Sequence, residues 1–287
     1  MKKRSCFRTV LAMGLVLCIL SGCSLFEKDY PVTVAGVTVK HAPESVACLS
    51  EGAASAVSAL GYGSYLTGAP SEFITGEEDG LADLGSAVMP DQEAVYSLSP
   101  DVLITPLELS DSFKEGLELR GITVIVLATP EKYSDIAPYY TELAKLFLGK
   151  KKSTETAETY IGEMNRNIAD LKTRNTGLSK KAVVFIEDGF VVTGDTLAGQ
   201  AMEQAGMVNI AAEETGYMMS AVAIAEANPD VIFCAAGSSE AILKNETYAA
   251  VTAIKNGAVY EIDTAALAFA GEGFCAVLQD MSNYLKQ

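Results

Sequence analysis

The sequence predicts an α/β protein of two similar lobes, each with a mainly parallel sheet, joined by one long rigid helix. Three observations carry this. Short, continuous apolar runs such as Asp101-Val-Leu-Ile-Thr105 and Ile122 to Leu127 alternate with helical patterns, the mark of parallel strands covered on both faces. The phrase Ala94-Val-Tyr-Ser-Leu-Ser-Pro-Asp-Val-Leu-Ile104 recurs as Ala223-Ile-Ala-Glu-Ala-Asn-Pro-Asp-Val-Ile-Phe233, each a helix, a Pro-Asp break and a buried strand. Between the two copies, Ala157, Ile161, Met164, Ile168 and Leu171 follow one another at spacings of three or four along Lys151 to Asn175. That is one amphipathic helix of about 25 residues and roughly 37 Å.

Taken in order, Tyr30 to Val39 alternates apolar and polar residues around Ala35-Gly36 and reads as a hairpin. Ser45 to Leu49 is a buried strand, and Gly52 to Leu60 is an Ala-rich helix closed by Gly61. Tyr65 to Ala69 is a further strand, Asp91 to Leu98 a helix stopped at Ser99-Pro100, and Phe113 to Arg120 a helix ended by Gly121. In the second half, Ala182 to Glu187 is a strand and the helix to Ala205 ends at Gly206, echoing Cys48 to Gly61. Gly257-Ala-Val-Tyr-Glu-Ile262 answers Gly121-Ile-Thr-Val-Ile-Val126. The chain therefore divides into a first lobe over residues 30–150, a connecting helix over 151–178 and a second lobe over 179–287, preceded by a leader.

The leader is a separate signal. Lys2, Lys3, Arg4 and Arg8 precede an uncharged apolar run from Thr9 to Leu20, too short to span a bilayer stably. Leu20-Ser-Gly-Cys23 resembles the lipobox of bacterial lipoproteins, which implies that residues 1–22 are removed. Cys23 is then diacylated, residues 23–29 form a tether, and the folded part stands on the extracytoplasmic face of the cell membrane. Two acyl chains supply the two hydrophobic signals that stable anchoring needs. Cys48, Cys234 and Cys275 remain, an odd set that allows at most one internal disulfide.

Composition narrows the function. The 287 residues hold 37 acidic and 21 basic side chains, a formal charge of −16, with one His and no Trp. So acidic a chain is a poor nucleic-acid binder, and a single His excludes a His-pair metal site. Gly61-Tyr-Gly63 lacks the third glycine of a dinucleotide loop and follows a helix instead of a strand. No nucleophile elbow or phosphate-binding loop is present. No enzyme activity and no resident cofactor are expected.

The ordered set of motifs resembles the substrate-binding lipoproteins of ABC importers for iron–siderophores, haem and cobalamin, the Fe/B12 periplasmic-binding family. The carrying residues are Pro43-Glu-Ser-Val-Ala-Cys-Leu49, Ala59-Leu-Gly61, Met89-Pro-Asp-Gln-Glu93, Leu98-Ser-Pro-Asp-Val-Leu-Ile104, Gly206-Met-Val-Asn209, Asn228-Pro-Asp-Val-Ile232 and Ala253-Ile-Lys-Asn-Gly-Ala-Val-Tyr260. The resemblance implies two Rossmann-like lobes with a ligand cleft between them and little hinge closure. It also implies capture of an iron chelate or a corrinoid for an ABC permease dimer. A lipoprotein sensor or adhesion domain on the same fold is the alternative. The chain departs from the family at Glu44, where a basic residue is common, and at Ala265 to Gly273, where the family carries an Arg-Pro-rich segment.

Ligands of open α/β sheets bind at the carboxyl ends of the strands. That rule selects Ser50, Glu51, Phe73, Glu108 and Tyr133 in the first lobe and Phe190, Tyr217, Met218, Ser238 and Phe269 in the second. Beyond the leader only Arg120, Arg166 and Arg174 occur, so the cleft lacks the side chain best suited to carboxylate or phosphate. A neutral or weakly charged ligand held by aromatic contact follows. In the family a glutamate atop each lobe meets permease arginines. Glu93 stands at the first position, the second is Val222, and Glu226 lies one turn further on.

Overall fold

The computed structural model describes residues 29–74, 80–187, 190–271 and 273–287. The leader, Cys23 and the tether up to residue 28 lie outside the described residues. The chain enters with the hairpin β1 (Val32–Val34) and β2 (Val37–Val39), turned by Ala35 and Gly36, both at positive φ. Two positive-φ residues in sequence match the right-handed twist of the paired strands. The Ala35 N–H donates to Glu142 Oε2 at 2.9 Å, tying the turn to the helix below it.

The first lobe follows as β3 (Val46–Cys48), α1 (Glu51–Ala59), β4 (Leu66–Ala69), β5 (Ala82–Asp83), α2 (Gln92–Leu98), β6 (Val102–Thr105), α3 (Asp111–Glu118) and β7 (Thr123–Val126). Its five strands pair in the order β5-β4-β3-β6-β7, all parallel. The chain winds outward one way from β3 and then the other way from β6, so the winding reverses between these two strands.

A helix, α4 (Ile136–Asn175), then joins the lobes. It begins at Ile136 instead of at the expected Lys151 and is interrupted at Gly149 (φ 70°, ψ −160°). A side chain there would place its Cβ 2.6 Å from the Cβ of Asp29, so only glycine permits this approach as well as this φ. The second stretch carries the amphipathic pattern seen in the sequence.

The second lobe comprises β8 (Lys181–Glu187), β9 (Phe190–Val191), α5 (Leu197–Gln204), β10 (Val208–Asn209), α6 (Ala221–Ala227), β11 (Val231–Cys234), α7 (Ser239–Lys244), α8 (Thr252–Lys255) and β12 (Val259–Glu261). Its parallel strands run β10-β8-β11-β12, with β9 antiparallel to β8. The repeat holds in three dimensions. Asp91 and Ser220 cap α2 and α6 with side-chain oxygens, at 2.9 Å to the Ala94 N–H and 3.1 Å to the Ala223 N–H. Ser99 (φ 49°) and Asn228 (φ 50°) end these helices in the left-handed region, where Pro100 and Pro229 follow.

The last helix, α9 (Phe274–Tyr284), returns to α4. Ser282 Oγ donates to Asn175 Oδ1 at 2.6 Å, while Asn175 Nδ2 donates to the Ala205 carbonyl at 2.8 Å. One buried cluster runs through both lobes: Val46, Cys48 and Ile104 of the first sheet, Leu143, Met164 and Leu171 of α4, Val184 and Phe233 of the second sheet, and Leu278 and Met281 of α9. Each sheet buries its other face separately, under Phe113 and Leu117 in the first lobe and Ile224 and Ile242 in the second. Cys48, Cys234 and Cys275 are free thiols.

Candidate functional site

In a parallel sheet the carboxyl ends of the strands flanking the winding reversal leave a crevice, because their connections depart in opposite directions. Here the reversals fall between β3 and β6 in the first lobe and between β8 and β11 in the second. Two cavities open beside these ends, the first continuing along α1 to Ser58, Gly63 and Leu66 at the start of β4. The first, about 630 Å³, is bounded by Glu51, Glu72 and Phe73 from the first lobe and by Asp263, Ala266 and Phe269 from the second. The second, about 490 Å³, is bounded by Pro106, Leu107 and Thr129 from the first lobe and by Asp195, Tyr217 and Leu267 from the second.

The segment after β12 separates them. Ala266 and Phe269 face the first cavity while Leu267 and Ala268 face the second. It is seated by a close approach to α1: a Cβ on Gly52 would lie 3.3 Å from Phe269 Cβ and 3.4 Å from Thr129 Cγ2. The hydroxyls of Tyr140 and Tyr160 donate to the Ala270 carbonyl, fixing the far end of the segment to α4.

The electrostatics of the first cavity are those of clustered carboxylates. Burial, then Asp263 and then Glu72, push the Glu51 carboxyl above its ordinary range. Among the described residues bounding either cavity there is no Lys, Arg or His. In the second cavity Asp195 accepts the Thr193 hydroxyl at 2.6 Å and the Gly216 N–H at 3.0 Å, and these bonds hold its carboxyl below the ordinary range. They fix the turn that presents Tyr217, which has φ 62° and donates its N–H to Thr193 Oγ1 at 3.1 Å.

The residues expected from strand ends divide accordingly. Glu51, Phe73 and Phe269 meet around the first cavity and Tyr217 lines the second. Phe190 and Met218 form an antiparallel bridge beside Tyr217 and are 45% and 60% exposed. Ser50 caps α1, accepting the Ala53 N–H at 3.2 Å. Glu108 pairs with Lys114 outside both cavities. Tyr133 donates its N–H to Gln200 Oε1 at 3.0 Å and its hydroxyl to Asn165, joining the start of α4 to α5; burial pushes that hydroxyl up to about 12. Ser238 is half-buried ahead of α7 and bounds neither cavity. Glu93 and Glu226 stand exposed on α2 and α6.

Glu72, Asp195 and Asp263 were not among the expected residues. The signal for Asp263 was present, since it lies two residues past β12 and the strand-end rule reaches it directly. Glu72 and Asp195 also follow strand ends, three residues past β4 and four past β9, but the selection there took their aromatic neighbours Phe73 and Phe190.

A family model described as periplasmic binding protein matches residues 46–266. The petrobactin-binding protein YclQ of Bacillus subtilis (strain 168) is 23% identical, covering 100% of this chain and 98% of its own. A cobalamin-binding protein of Halobacterium salinarum (strain ATCC 29341 / DSM 671 / R1) is 23% identical over 73% of this chain and 58% of its own. Among solved structures, the periplasmic haem-binding protein HutB of Vibrio cholerae superposes with a TM-score of 0.73 at 19% identity, covering 85% of this chain and 99% of that one. The family match takes in both sheets and the helix between them: the chain belongs to the periplasmic binding protein family.

Proposed function

We propose that this protein is a lipid-anchored, extracytoplasmic solute-binding protein of an ABC importer. It captures an iron chelate or a corrinoid and hands it to a membrane permease. The observation that carries the reading is the crevice at the strand ends of both lobes, in a chain whose relatives bind petrobactin and cobalamin. Glu51, Phe73, Phe269 and Tyr217 hold the solute, with Phe190 and Met218 at the rim. Binding and release need no bond-making step, in keeping with relatives that are binding proteins. The anchor is Cys23, after the Leu20-Ser-Gly motif. Exposed Glu93 and Glu226 face the permease, one on each lobe.

Native mass spectrometry of the detergent-extracted protein with a mixed panel of ferric siderophores, haem and cobalamin tests this. A single retained adduct, weakened by Phe269→Ala, is the expected result. No adduct from any member of the panel counts against the carrier reading.

A further inference from the structure

On the reading that this crevice captures a solute, we infer that the solute carries a positively charged, ammonium-type group and is not an anionic chelate. The argument is one of charge and wall chemistry together. Glu51, Glu72 and Asp263 bound the first cavity together with the aromatic side chains of Phe73 and Phe269. Among the described residues none of the three carboxylates forms an ion pair. The arginines that could have offset them are engaged elsewhere. Arg120 lies 3.9 Å above the Tyr96 ring and donates to the Gly116 carbonyl, Arg166 pairs with Glu163, and Arg174 donates to Gln279.

The second cavity adds Glu131 and Asp195, with only Lys132 near Asp195 as a counter-charge. Asp195 has its oxygens committed to Thr193 and Gly216, which leaves Glu131 at the second cavity against Glu51, Glu72 and Asp263 at the first, where Asp263 also accepts the Ala266 N–H.

An anionic chelate entering there would meet like charges on a partly desolvated wall with nothing to compensate it. An alkylammonium would instead meet carboxylates and aromatic faces at once, a pairing that favours organic cations. A bare metal ion is the poorer fit, because among the described residues no group of three or more His, Cys, Asp or Glu is placed to hold one. The carboxylates therefore act on a charge carried by the solute and not as a coordination shell.

The test is calorimetric titration of the detergent-extracted full chain with three ferric complexes. Ferrioxamine B bears a pendant ammonium, its N-acetyl derivative has the same iron coordination without that charge, and ferric citrate is anionic. The ammonium form is expected to bind about tenfold more tightly than the acetylated form. That ratio should fall toward one in Glu51→Gln/Asp263→Asn, and because it is read within one protein a general loss of folding does not mimic the effect. Metal-free desferrioxamine B binding as well as its iron complex would support the inference and identify the organic cation itself as what is recognised. Equal binding of the charged and acetylated forms, or tighter binding of citrate, would overturn the inference while leaving capture of iron complexes intact. Silence toward all three, with haem or cobalamin retained in the mass-spectrometric panel, would overturn it in the same way. Silence toward the whole panel would remove the carrier reading and this inference together.

Discussion

Asp101 and Asp230 hold the same post in the two lobes. Each follows the proline that ends a helix, and each turns its carboxylate onto the backbone where the neighbouring central strand begins. Asp101 Oδ2 accepts the Glu44 and Ser45 N–H groups at 2.8 and 2.9 Å, and Asp230 Oδ2 accepts the Lys181 N–H at 2.8 Å. These bonds set where β3 and β8 enter their sheets. Replacing either Asp by Ala leaves those donors without their carboxylate and should cost about 1–3 kcal/mol. Asn, which keeps one acceptor oxygen, should restore part of the loss. Denaturant melts of the four variants check this, and an Ala variant as stable as the parent would contradict it.

The Glu51 carboxyl is raised by burial, Asp263 and Glu72. Between the ordinary glutamate value and its value in the folded protein, the native state keeps a proton that the unfolded chain has released. Stability at this residue therefore falls as pH rises through that window. Asp263→Asn retains the oxygen that accepts the Ala266 N–H but removes one of the raising charges. It should lower the Glu51 pKa and raise the denaturation midpoint at pH 7. Carbon-detected NMR titration reads the first effect and thermal melts read the second; an upward shift of the Glu51 pKa in this variant would refute the assignment.

Glu93 and Val222 occupy equivalent positions on α2 and α6, and Val222 is 60% exposed. The docking surface proposed above would thus be acidic on one lobe and apolar at the matching place on the other. Glu93→Ala should slow association with permease-containing vesicles by about tenfold at low salt and leave solute affinity unchanged. Glu226→Ala should add to the defect if the carboxylate one turn further on provides the second contact. An undiminished association rate in the double variant would take both residues out of the interface.

Cys23→Ser should abolish metabolic lipid labelling and release the protein from membranes into the soluble fraction. Retention on membranes without label would show that the anchor lies elsewhere.

The repeat was legible because its parts are local. A helix that must stop in the left-handed region, a proline and a capping aspartate leave the same print at Ser99-Pro-Asp101 and Asn228-Pro-Asp230. The continuous apolar strands were legible for the same reason. The first stretch of α4 was not: Gly149 breaks the helix where Asp29 crosses it, and that crossing is a contact between residues distant in sequence. In the crevice, Glu51, Phe73 and Phe269 could be read from strand ends. Whether a strand-end residue reaches the crevice depends on which strands flank the reversal and how the chain then turns. Glu108 follows β6, yet after Pro106 and Leu107 its side chain goes to Lys114. Tyr133 is drawn instead to Asn165 and Gln200 at the junction of the lobes.

The buried cluster that threads both sheets through α4 and α9 should make the molecule one calorimetric unit. Neither lobe can melt first, because opening one exposes Leu143, Met164 and Leu278, which belong as much to the other. The heat-absorption curve should be a single peak whose van't Hoff and calorimetric enthalpies agree. On the carrier reading proposed above, the two lobes do not part of their own accord, and the energy that opens the crevice comes from the permease that holds them from outside.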